Sequence, residues 1–179
     1  MNCRDHIMDL AMKEATLSAM ILEFGVFTGG TINNIARHFY PRKVFGFDSF
    51  EGLPEKWRDG YEKGKFNLNG KLPRVRNNVI LIKGLFQDTL QPFLDEHIGA
   101  YAQFINIDCD LYSSTKFVLD TLLKNKYIIK DTVLYFDEFE GNTFNDEARA
   151  FKESGIKANL IGCFVNKKQN YSSYAFKVI

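Results

Sequence analysis

Met20-Ile21-Leu22-Glu23-Phe24-Gly25-Val26-Phe27-Thr28-Gly29-Gly30 is the stretch whose reading decides the fold. An apolar run carrying one acid ends in three glycines, and Thr31 to Phe39 follows with apolar residues at helical spacing. Strand, glycine turn and helix in that order open a nucleotide-type α/β unit. Glycine is required where the chain turns sharply at the strand's carboxyl end and leaves space for a ligand, because a Cβ would fill that space. Glu23, at the floor of the turn, is badly placed for a pyrophosphate and suits a cationic or hydroxyl-bearing ligand.

Working outward, the same rhythm repeats. Lys43 to Asp48 reads as a second strand ending in an acid, and Asp48 follows the glycines by about 20 residues, the interval at which such units place a carboxylate on ribose hydroxyls. Asn78 to Gly84 predicts a third strand, with Gly84, Leu85, Phe86 and Gln87 facing the same crevice, and Asp88 to Glu96 a helix. Phe104 to Asp110 is a fourth strand and its exit, after which Ser113, Ser114 and Thr115 offer hydroxyl caps to a helix over Lys116 to Asn125. Thr132 to Glu138 is a fifth strand, again ending in acids, and Asn145 to Glu153 a helix. Ala158 to Val165 and Ser173 to Ile179, joined by the short polar connector Asn166 to Tyr171, predict an antiparallel hairpin. Ile7, Met8, Leu10, Ala11 and Ala15 give residues 4 to 19 the spacing of a leading helix. The expectation is a three-layer, Rossmann-like α/β domain over residues 1–179, with a mostly parallel seven-stranded sheet and a C-terminal antiparallel hairpin. Residues 51–77, rich in Gly, Pro, Lys, Asn and aromatics, exceed the usual loop length and read as a mobile flap on which Trp57, Lys63 and Lys65 are surface residues.

The chain has 179 residues, 45% hydrophobic and 25% charged, enough to bury a core without disulfide staples. Its 23 basic and 22 acidic side chains leave a formal charge of +1, which gives no electrostatic case for nucleic acid or an anionic membrane. A small molecule is the expected partner, and a homo-oligomer stays open. Cys3, Cys109 and Cys163 are odd in number and lack metal-ligand spacing, as suits reduced thiols. With neither a signal-like amino terminus nor an apolar window long enough to span a bilayer, the expected location is cytoplasmic.

The stretches Leu22 to Gly30, Phe47-Asp48-Ser49-Phe50-Glu51-Gly52-Leu53-Pro54, Ile107-Asp108-Cys109-Asp110-Leu111-Tyr112-Ser113-Ser114-Thr115 and Tyr135-Phe136-Asp137-Glu138 together resemble the macrocin O-methyltransferase family. These are class I enzymes that use S-adenosylmethionine, and better-known members methylate sugar hydroxyls with a divalent metal. The resemblance implies cofactor contacts from Glu23, Gly25, Thr28, Gly29, Gly30, Asp48, Ser49, Gly84, Phe86 and Asp108, and metal ligands at Asp108, Asp137 and Glu138. Family members often carry Asp or Asn where this chain has Glu138, and the longer arm either changes the coordination geometry or leaves Glu138 behind the direct ligands.

The chemistry explains the acids. A sulfonium leaves as a neutral thioether, so no general acid is needed, whereas an alkyl hydroxyl must lose its proton or sit beside a cation. Strand-end carboxylates can build a hard oxygen site for Mg²⁺. Asp108 and Asp110 are the catalytic candidates, Asp110 as base or water-holder with helix capping as its alternative role. His6, His38 and His97 fall in helical stretches and Cys109 reads as a small buried residue. Two rival functions remain in view. A nicotinamide oxidoreductase predicts G-x-G-x-x-G, which the spacing of Gly25, Gly29 and Gly30 does not match. A non-catalytic, methyltransferase-like cofactor-binding or assembly module is the other, with a partner subunit completing the pocket.

Overall fold

The computed structural model describes residues 3–139, 146–166, 168 and 171–179. Asn145, and Lys167, Gln169 and Asn170 of the connector predicted between the last two strands, lie outside the described residues. Seven strands form one sheet in the order β3-β2-β1-β4-β5-β7-β6. They are β1 (Met20–Phe24), β2 (Val44–Asp48), β3 (Val79–Lys83), β4 (Ala102–Ile107), β5 (Val133–Phe136), β6 (Ala158–Asn166) and β7 (Tyr171–Val178). β1 to β5 run parallel, and β7 lies antiparallel to both β5 and β6. The α/β class, the parallel sheet and the antiparallel end are as the sequence predicts.

The helices divide by face. α1 (Cys3–Glu14) and α2 (Gly30–His38) pack Ile7, Met8, Ala11, Ile32 and Ile35 against Ile21, Phe104, Val133 and Tyr135. α3 (Phe86–Glu96), α4 (Tyr112–Lys124) and α5 (Asp146–Ser154) pack Leu90, Phe93, Val118, Leu119, Leu122 and Ala150 against Leu22, Phe24, Ile105 and Phe136. Strand alternation sorts the residues: Leu22 and Phe24 point to one layer, while Ile21 and Glu23 point to the other. β4 is buried at all six positions, as a central parallel strand covered on both faces must be.

Two helix starts differ from expectation. α3 begins at Phe86 with Leu85 as N-cap, and α4 begins at Tyr112 with Leu111 as N-cap, neither with a side-chain cap. Ser113, Ser114 and Thr115 therefore lie inside the first turn of α4, and Ser113 instead donates to Glu55 at 2.5 Å. Among the described residues no helix is long and apolar enough to cross a membrane.

The segment between β2 and β3 has no helix or strand, but it is folded on itself. Across it the Leu53 N–H donates to the Lys65 carbonyl and the Gly64 N–H donates to the Leu53 carbonyl, while Leu68 and Gly70 both donate to the Phe50 carbonyl. Gly52 makes this possible: its φ is +81°, and a Cβ there would stand 2.3 Å from the carbonyl oxygen of Lys65.

Candidate active site

A crevice of about 370 Å³ opens at the carboxyl ends of β1, β2, β4 and β5, in the size range of small-molecule sites. This is where an open α/β sheet reverses its strand order and leaves space outside the strand ends. Gly25 forms its floor. With φ at +91°, a Cβ on it would lie 1.9 Å from the carbonyl oxygen of Asp108, so the turn after β1 and the exit of β4 touch backbone to backbone.

Asp48 ties the turn to the second strand. Its carboxylate accepts main-chain N–H bonds from Val26 and Phe27, both at 2.8 Å, and from Phe50 at 2.7 Å. Three of a carboxylate's roughly four acceptor positions are thus used by protein, and the bidentate ribose contact expected from spacing is reduced to about one. Thr28, Gly30, Ser49 and Gly84 line the crevice as expected, and Phe86 lines it while packing edge-on against Phe24 at 5.6 Å. Gly29 does not line it; its N–H closes the turn on Val26 and its φ of +84° starts α2.

Glu23 also stays off the crevice wall. It is fully buried and accepts from the Asn106 amide at 2.8 Å, while its Oε2 has no hydrogen-bond partner. Burial pushes its carboxyl well above the ordinary range, against the partial relief of the Asn106 bond.

Asp108, Asp110, Asp137 and Glu138 all face the crevice. Burial, then the charge of Asp137, raises Asp108 well above the ordinary carboxylate value. Asp110, in the left-handed region with φ at +61°, is pushed up to about 8 by desolvation and then by Glu138 and Asp137, with Arg58 pulling the other way. Asp137 accepts from the Tyr171 hydroxyl at 3.0 Å and from Tyr135 at 3.5 Å. Glu138 is paired with Arg58 at 3.6 Å.

The expected metal ligands do not fit a divalent ion as they stand. Among the described residues no group of three or more His, Cys, Asp or Glu side chains converges on a position that could hold one. Hydroxyl donors occupy one oxygen of Asp137 and a guanidinium faces Glu138, where a hard cation needs several oxygens aimed at one point.

Three functional-looking residues escape a reading of the sequence. Glu147 on α5 is fully buried, accepts from the Cys109 main-chain N–H at 3.2 Å, and leaves its Oε2 without a hydrogen-bond partner. Burial, then Asp110 and Asp137, raises its carboxyl well above the ordinary value. Arg58 and Trp57 are the others: Trp57, expected at the flap surface, is half-buried and donates its indole N–H to Asp146 at 2.9 Å. Lys63 and Lys65 are exposed, as expected. The Cys109 thiol is buried and its pKa raised by that burial, which leaves it an inert neighbour of the acids.

The comparisons with known proteins bear directly on this crevice. The model of the macrocin O-methyltransferase (TylF) family matches residues 4–161. The chain belongs to that family. Solved structures extend the likeness at the level of the fold. The calicheamicin methyltransferase CalS11 superposes with a TM-score of 0.70 at 20% identity, covering 98% of this chain and 77% of that one. The O-methyltransferase TomG from Streptomyces achromogenes, involved in tomaymycin synthesis and solved with S-adenosylmethionine, gives 0.57 at 14% identity, with 98% and 79% covered. No curated protein matches by sequence. As a macrocin-type O-methyltransferase, the chain is an enzyme of S-adenosylmethionine-dependent methylation, and the nicotinamide and non-catalytic alternatives fall away.

Proposed function

We propose that this O-methyltransferase moves the methyl group of S-adenosylmethionine onto a hydroxyl oxygen of a small molecule of sugar or natural-product type. One observation carries the reading: the glycine turn held by Asp48 and the acid pair Asp108 and Asp110 face each other across one crevice. The printed description of CalS11 as a TDP-rhamnose 3′-O-methyltransferase gives the class of acceptor its weight. Family membership and two unpaired cysteines, Cys109 and Cys163, favour a reducing, cytoplasmic setting.

In this reading Gly25, Thr28, Gly30, Ser49, Gly84 and Phe86 surround the cofactor, with Gly29 closing the turn and Glu23 supporting it from below. The remaining acceptor position of Asp48 takes a ribose hydroxyl. The acceptor's oxygen attacks the sulfonium methyl carbon in line with sulfur; the O–CH₃ bond forms as the S–CH₃ bond breaks. The electron pair returns to sulfur, which leaves as a neutral thioether, and the hydroxyl proton passes to Asp110. A base whose carboxyl sits near 8 keeps hold of that proton better than an ordinary aspartate.

Calorimetric titration with S-adenosylmethionine and with S-adenosylhomocysteine, each with and without Mg²⁺, tests the reading. Saturable binding of both is expected. Binding of neither would sink it, and a Mg²⁺-dependent rise in affinity would return the metal to the site.

A further inference from the structure

We propose that Arg58, carried by the flap, is the resident cation of the acid cluster, standing where the family resemblance places a divalent metal. The proposal rests on the O-methyltransferase reading of the crevice. It starts from the mismatch between the acids and a metal site, since Asp108, Asp137 and Glu138 do not converge while Glu138 lies 3.6 Å from the Arg58 guanidinium.

The position of Arg58 is built rather than accidental. Its guanidinium stacks on the rings of Trp57 at 3.8 Å and Tyr61 at 4.4 Å. A planar, weakly hydrated cation between two aromatic faces is a favourable arrangement that a lysine reproduces poorly. Trp57 is itself fixed to Asp146 on α5, and Glu55 accepts from Ser113 on α4, so contacts from Glu55, Trp57 and Arg58 fasten the flap. The side chains of Arg58 and Glu138 are only 26% and 23% exposed, so the pair is shielded more than a surface ion pair.

Charge gives the arrangement its purpose. Asp108, Asp110, Asp137 and Glu138 line one crevice and Glu147 lies behind them. Arg58 opposes Glu138 and its field reaches Asp110. In methyl transfer it offsets the negative charge that develops on the acceptor oxygen while Asp110 receives the proton, and the flap must be closed for it to do so. Closing the flap and binding a divalent ion at Glu138 are then alternatives.

The test is Mn²⁺ binding, read from the paramagnetic resonance of the free ion, for wild type, Arg58→Gln and Arg58→Lys. S-adenosylhomocysteine is titrated in parallel. Removing the guanidinium takes away the cation that opposes Glu138, so Arg58→Gln should bind Mn²⁺ about tenfold more tightly than wild type, with Arg58→Lys, which keeps the charge but stacks less well, between the two. Equal Mn²⁺ affinity in wild type and Arg58→Gln overturns the proposal. Failure of S-adenosylhomocysteine to bind wild type would instead sink the methyltransferase reading, leaving the Mn²⁺ comparison readable. Trp57, the single tryptophan, supplies a second measurement. Glu138→Gln removes the charge that Arg58 pairs with, so acrylamide should quench Trp57 more than in wild type; unchanged quenching also overturns the proposal.

Discussion

Asp48 shows how much one side chain at a strand end can carry. A carboxylate accepting three main-chain N–H groups replaces three bonds to water with three fixed ones, and it does so on the two loops that border the crevice. Asp48→Ala leaves those three donors without their acceptor, so it should cost about 2 kcal/mol of stability in urea denaturation. Asp48→Asn keeps one carbonyl oxygen and should cost about half as much, while both weaken S-adenosylhomocysteine binding because the turn after β1 is no longer held. A variant that binds normally after losing that stability would show that the turn is set by its glycines alone. Gly25 argues that both matter, since the carbonyl of Asp108 fills the space a side chain would need.

At the scale of elements, the fold of the flap depends on the backbone angle of one residue, Gly52. A side chain at residue 52 would meet the carbonyls of Gly64 and Lys65 at 2.6 and 2.3 Å in a conformation L residues rarely adopt. Gly52→Ala should therefore unfasten the flap without touching the sheet. Limited trypsin digestion reads this at Lys56, Arg58, Lys63 and Lys65: faster cleavage there with an unchanged melting temperature is expected, and unchanged cleavage would mean that the three clamps at Glu55, Trp57 and Arg58 hold the flap without the turn. The flap also marks the edge of what the sequence makes legible. Strands and their terminal acids could be read because apolar runs and strand-end carboxylates are local patterns, and the parallel order follows from the helices between strands except at β2 and β3, which the flap joins. The roles of Trp57 and Arg58 depend on the chain folding back over residues 138 and 146, which no local pattern encodes. Ser113, Ser114 and Thr115 looked like caps because hydroxyls precede a helical stretch, yet α4 starts earlier and turns Ser114 and Thr115 inward. Glu147 had a signal that could have found it: it shares a helical stripe with Ala150 and Phe151, and a charged residue on an apolar stripe is either buried for a reason or misread.

On the scale of the whole molecule, the buried acids set how stability depends on pH. Glu23 and Glu147 lie on opposite faces of the sheet, each fully buried and each with a carboxyl raised by desolvation. A group with a raised folded-state pKa holds its proton in the folded chain at pH values where the unfolded chain has released it. The unfolded chain then binds fewer protons, so stability is greatest below the ordinary glutamate value of 4.5 and falls as pH rises from there toward the folded value. Glu147→Gln isolates this contribution, because the amide oxygen can still accept from the Cys109 N–H while losing the ionisation. The variant should melt close to wild type at pH 5 and several degrees above it at pH 8, measured by circular dichroism on both proteins across that range. A melting difference that stays constant with pH would mean that Glu147 ionises in the folded chain as readily as in the unfolded one. Stabilisation in the variant accompanied by slower methyl transfer would place Glu147 among the groups kept for orienting Asp108 and Asp110, since a buried carboxylate that lowers stability is otherwise without use to the fold.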